Sequence, residues 1–209
     1  MVNLPIFNLS LAPNTMVFFM HSCKRTSFLW MLALFLSTAT LAFAATSSIQ
    51  IKSAELQAQD EYYSLSADVV IDFDDEIEEA INKGVPLNFL IEFQIVSPRK
   101  YWFDDEIITT SQSVILSYHA LTKQYLVNRG VHQKSFETLS EATQELAELS
   151  DWKVAEKSLL EKNEDYNAAL LIRLDQTKLP KAIQVDAIAS EKWSLSSQKF
   201  VWSLKDLNK

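Results

Sequence analysis

Asp104, Asp105 and Glu106 directly follow Tyr101-Trp102. Carboxylates beside aromatic rings suit glycoside hydrolysis, where one acid donates a proton and another serves as nucleophile or base. Adjacent acids do not supply the required separation across a sugar, so the plainer reading is a polar turn beside buried aromatics. The densest acidic run is Asp72, Asp74, Asp75, Glu76, Glu78 and Glu79. A calcium loop needs oxygen ligands at alternating positions and a glycine turn. No glycine lies within this run, and Ile77 and Ala80 fit one face of a helix, so the acids read as a helix N-terminus. Ser117 and His119 would share a face of a strand, yet a catalytic histidine also needs an orienting acid. A zinc site at His119 and His132 would need added carboxylates. A structural role is the expectation for His119. No catalytic, cofactor-binding or metal-binding residue is assigned, and no cofactor is expected.

Composition narrows the classes further. The 209 residues hold two glycines, Gly84 and Gly130, where about 7 % is usual. Phosphate-cradling loops, dinucleotide fingerprints and nucleophile elbows each need several, because the backbone must turn tightly or approach a ligand. Nucleotide enzymes and α/β-hydrolases are thereby excluded.

The first 44 residues carry Lys24 and Arg25 and no acid, then an apolar run over residues 28–41, then Ala42-Phe43-Ala44 before Ala45. A positive segment, an apolar stretch and a small-x-small site make a secretory signal peptide. Cleavage falls between Ala44 and Ala45. The run is shorter than the roughly 20 residues of a spanning helix, and an uncleaved inner-membrane anchor is the alternative. Met16 or Met20 would give a more ordinary signal length. The single cysteine, Cys23, lies before the apolar run, so lipid attachment is not indicated, and cleavage leaves a chain without thiols. All 27 acidic residues and all but two of the 19 basic ones follow the signal. That acidity argues against nucleic acid as a partner and against anionic membrane surfaces.

The elements follow from periodicity. Residues 49–56 and 62–73 read as strands, the second alternating Tyr63, Leu65, Ala67, Val69 and Ile71, with a turn at Gln59-Asp60-Glu61. Residues 74–83 read as a short helix, with Gly84 in the left-handed cap position and Pro86 beyond. Residues 87–96 form the best strand, with Leu87, Phe89, Ile91, Phe93 and Ile95 on one face, ended by Pro98. Tyr101-Trp102-Phe103 begins a return strand, and residues 109–118 and 125–128 continue the sheet. Residues 136–149 read as an amphipathic helix. Strands at 152–155 and 166–175 follow. Residues 183–188 fit either type, and residues 193–204 read as a last strand with a bulge. Seven or eight antiparallel strands with two inserted short helices, preceded by the signal helix, describe a mainly β chain: an immunoglobulin-like β-sandwich. The organisation is a signal over 1–44, a tether over 45–48, one domain over 49–204 and a polar tail over 205–209. Of the aromatics Tyr101, Trp102, Trp152, Tyr166, Trp193 and Trp202, most belong to the core, and Tyr101 with Trp102 is the pair expected at the surface.

Several segments together carry a resemblance. They are Gly84-Val85-Pro86-Leu87, Arg99 with Tyr101-Trp102, Leu116-Ser117-Tyr118-His119-Ala120-Leu121-Thr122 with Gln124-Tyr125, Arg173-Leu174-Asp175, Leu179-Pro180-Lys181, Gln184-Val185 and Trp193. In this order the chain resembles a proteobacterial family of exported proteins catalogued only as a domain of unknown function. One departure is Ala182, where a second proline is expected. The resemblance covers about residues 49–204 and implies a Gram-negative periplasmic protein with an envelope partner, a membrane sensor histidine kinase being the candidate. It supplies no catalytic residue.

The expectation is a non-enzymatic interaction or signalling-accessory module whose contact surface includes Tyr101, Trp102, Asp104 and Asp105. The alternatives are a carboxylate-based cell-wall hydrolase, and a carrier holding a small ligand in the mouth of a barrel.

Overall fold

Leu87, Phe89, Ile91, Phe93 and Ile95 are all buried, while the residues between them are only partly covered. This alternation makes β3 (Leu87–Ser97) the spine of the molecule. The computed structural model describes residues 46–204 apart from 102, 162 and 163. The expected signal over residues 1–44, with its cleavage residues Ala42, Ala44 and Ala45, and the expected tail over 205–209 lie outside the described residues.

In chain order the remaining elements are β1 (Ser48–Ala58), β2 (Tyr62–Asp72), α1 (Asp75–Asn82), β4 (Asp105–His119), β5 (Gln124–Arg129), β6 (His132–Phe136), α2 (Leu139–Ala147), β7 (Leu149–Glu156), β8 (Asn167–Leu174), α3 (Lys181–Ala189) and β9 (Phe200–Ser203). β3 precedes β4. The strands form two antiparallel sheets, β1-β2-β7 and β6-β5-β4-β3-β8-β9. Their inner faces meet in one core. Phe93 of β3 packs edge-on against Trp152 of β7, ring centroids 6.4 Å apart, and also meets Trp202 of β9 at 6.1 Å.

The mainly β, two-sheet reading holds, with nine strands and three helices among the described residues. The sheets do not close into a barrel, so the barrel mouth required by the carrier alternative is absent. The added helix is α3, in the stretch that fitted either type. The segment read as a last strand from residue 193 is different in kind. Glu191–Trp193 is a 3-10 turn, Ser196 makes a lone bridge to Arg173, and only β9 is a strand. Trp193 and Leu195 point into the core from this irregular run, which is why their apolar phase slips against that of β9.

Local signals explain α1. The Asp74 carboxylate accepts the Ile77 N–H at 2.9 Å, and Asp75, Glu76 and Glu78 occupy the first turn. At the other end Gly84 takes φ +88°, its N–H donates to Ile81 at 2.8 Å, and the Val85 N–H donates to Ala80 at 3.0 Å. This is a Schellman closure, which a glycine accommodates without strain. The acids are thus a helix start. α2 begins with a reciprocal capping box between Thr138 and Glu141. Its last carbonyls, on Glu145, Leu146 and Glu148, receive the Arg129 guanidinium from β5 at 3.2, 3.5 and 2.8 Å. No described helix is long and apolar enough to cross a membrane.

Candidate functional site

The hairpin between β3 and β4 carries the residues singled out in the sequence. Ser97 pairs with Asp105 and Val96 with Glu106, with a bulge beside Ile95. β4 therefore starts at Asp105, four residues before the expected strand. Tyr101 and Phe103 do not begin a return strand but lie in the connection, where they are 83 % and 95 % exposed. The reading of a polar turn beside buried aromatics is corrected accordingly, while Tyr101 stands at the surface as expected. Their side chains have no sheet beneath them, because the ladder closes at Ser97. Trp102 lies outside the described residues.

The acids brace this tip. Asp104 accepts the Arg99 backbone N–H at 3.2 Å, and Asp105 forms an ion pair with the Arg99 side chain. Glu106 accepts from the Thr109 hydroxyl. The Lys100 ammonium lies 5.7 Å from the Tyr101 ring centroid. The carboxylates that could have served hydrolysis thus hold the loop in shape, with an aromatic pair and two cations displayed at its end.

Elsewhere the sequence candidates fall into structural roles. His119 stands at the end of β4, its Nδ1 3.0 Å from Thr122 Oγ1 and 3.4 Å from the Thr122 N–H, so it closes the β4 to β5 turn. His132 pairs with Arg129 across the next hairpin, which Gly130 turns at φ +62°. Tyr166 and Trp193 are core residues, while Trp152 and Trp202 are partly covered against Phe93. Among the described residues no group of three or more His, Cys, Asp or Glu is placed to hold a metal ion.

A second feature was missed in the sequence. A groove of about 980 Å³ is lined mainly by β2 and α2, with Ser53 and Glu55 of β1, Glu78 and Asn82 of α1, and Tyr125 contributing. Its lining includes Glu55, Asp68, Asp72, Glu78 and Glu148 and no basic side chain. Tyr125 donates to Asn82 at 2.6 Å, and burial beside Tyr118 and Glu78 raises its phenol above the usual value. The available signal was that both Asp68 and Asp72 fall on the outward phase of β2, opposite the buried Val69 and Ile71.

A family model described as "Domain of unknown function (DUF4390)" matches residues 46–203. No curated protein and no solved structure matches the chain.

Proposed function

The chain belongs to this DUF4390 family, and from that premise we propose that it is an exported, non-enzymatic protein-interaction module of the cell envelope. The observation that carries the reading is the outward display of Tyr101 and Phe103 on a braced hairpin tip. An aromatic ring offers roughly 150–250 Å² of contact area, and full burial of such a side chain is worth about 1.5–3 kcal/mol. Aromatic side chains and Arg are enriched at the centre of protein contacts. Tyr101, Trp102, Asp104 and Asp105 form the proposed contact segment, with Phe103 added. The signal over residues 1–44 supports a periplasmic location, with an uncleaved inner-membrane anchor as the alternative. The family resemblance supports an envelope partner, with a membrane sensor histidine kinase as the first candidate.

The test is site-specific photo-crosslinking in cells. A photoreactive residue replaces Tyr101 or Phe103, and in a control replaces Val131, equally exposed on another hairpin. The expected result is an adduct of one defined mass from positions 101 and 103 and none from 131. Absence of such an adduct, or equal labelling from 131, overturns the reading. The same mass spectra show whether the chain begins at Ala45, as export with cleavage requires.

A further inference from the structure

From the β2 groove we infer a second binding surface, distinct from the hairpin tip: it accepts an extended, basic polypeptide segment that adds as a strand along residues 68–72 of β2. β7 pairs with β2 only from Tyr62 to Ala67, where Leu149 is the last partner. β2 continues to Asp72, still paired with β1 in unbroken register from Ser48 to Ile51. Over residues 68–72 the flank away from β1 carries no strand among the described residues. Among the described residues no backbone hydrogen bond outside the ladders reaches these residues either. In an antiparallel ladder alternate residues direct N–H and C=O to each side, so this flank holds unused pairing groups facing the groove.

The other edges are blunted in the ways that protect sheets from stray pairing. β1 has a bulge at Lys52, β7 has two register shifts and Asp151 at φ +50°, β6 is five residues carrying Lys134, and β9 is four residues. The flank of residues 68–72 carries no bulge and no lysine. Instead it opens into a walled groove large enough for a strand of five residues, which spans about 17 Å.

Charge selects the occupant. Glu55, Asp68, Asp72, Glu78 and Glu148 line the groove, and none of them has an ion-pair partner among the described residues. A second copy of this acidic chain is repelled there, and a basic segment is attracted. Register sets the pattern. Residues opposite Asp68 and Asp72 share the outward face with those carboxylates, and residues opposite Val69 and Ile71 point inward beside two buried side chains. The matching segment is therefore basic, apolar, any, apolar, basic, and reads the same in either chain direction. Recognition through an open sheet edge draws its affinity from main-chain bonds and its specificity from alternate side chains.

The test uses the full chain and end-blocked peptides with the cores Arg-Val-Thr-Val-Arg, Glu-Val-Thr-Val-Glu and Arg-Val-Pro-Val-Arg. Affinity is read by fluorescence anisotropy and location by amide hydrogen exchange. The basic peptide is expected to slow exchange at alternate amides of residues 68–72. The acidic peptide is expected to bind at least about tenfold more weakly, the worth of two exposed ion pairs, and the proline peptide to lose the protection. The double variant Asp68→Asn with Asp72→Asn, both positions exposed, is expected to weaken the basic peptide and to flatten its salt dependence while its thermal melt stays unchanged. Equal binding of acidic and basic peptides overturns the charge assignment. Protection confined to the β3 to β4 tip, or no protection by any peptide, overturns the site. Neither outcome touches the crosslinking result at Tyr101 and Phe103, so the two readings fail separately.

Discussion

The indole N–H of Trp193 donates to Glu76 at 3.2 Å, while the Lys192 ammonium lies 2.7 Å from the other carboxylate oxygen. One acid of α1 thereby fastens the irregular segment after α3, 117 residues further along the chain. The Lys192 hydrogen bond is the largest influence holding the Glu76 carboxyl below its usual value, opposed by partial burial and aided by Trp193.

That bond predicts a pH dependence. A lowered folded-state value means that the contribution is present above the ordinary carboxylate value of 4.5 and is lost as pH falls through the folded value. Urea titrations of the natural chain and Glu76→Gln should differ at neutral pH and converge in acid. Glu76→Ala should cost more than Glu76→Gln, since glutamine keeps an acceptor for Trp193. Equal losses for the two variants would show that the indole bond contributes nothing.

Arg129 ties β5 to the end of α2 through three backbone carbonyls. Burial lowers its guanidinium value, opposed by Glu145 and Glu148. Removing a charged donor leaves those carbonyls without it, at a cost of about 1.5–3 kcal/mol. Arg129→Ala should lower stability by that amount in equilibrium unfolding. Arg129→Lys should recover only part, because an ammonium lacks the planar fork that reaches several acceptors.

Gly84 at φ +88° closes α1, and an added Cβ would meet only the Tyr118 carbonyl oxygen at 3.8 Å, an ordinary contact. The cost of Gly84→Ala is therefore conformational, about 1–2 kcal/mol. Thermal unfolding should show a lowered midpoint with an unchanged circular dichroism spectrum. A neutral result would mean that the helix end relaxes into another cap.

Phe93 is fully buried between the sheets, against Trp152 and Trp202. Phe93→Ala should destabilise by about 3–5 kcal/mol through lost burial and the cavity left behind. Tryptophan emission should shift to the red as both indoles gain water. Stability within 1 kcal/mol of the natural chain, on the roughly 1 kcal/mol scale of a typical substitution, would contradict the packing described.

Elements whose causes are local were legible in the residues. The period-two run from Leu87 to Ile95 must bury one face, whatever it packs against. Asp74 before Ile77, and Gly84 before Pro86, fix both ends of α1 within a single turn of chain. Tyr101, an aromatic expected at the surface, is exposed, although the return strand expected to begin there is absent.

What the residues alone could not decide depends on partners distant in sequence. β4 starts at Asp105 because Ser97 and Val96 extend the ladder to it, and this left Tyr101 and Phe103 outside the sheet. Residues 193–204 carry apolar side chains in two phases because the core receives them from a 3-10 turn and from a strand in succession. The open flank of β2 exists because β7 begins at Leu149, directly after α2, so its ladder stops at Ala67. Nothing in residues 68–72 encodes that stop. Strand alternation and helix caps are short-range constraints of backbone geometry, settled by the sequence itself; where one strand ends beside another is settled only when helix, sheet and core compete for the same space.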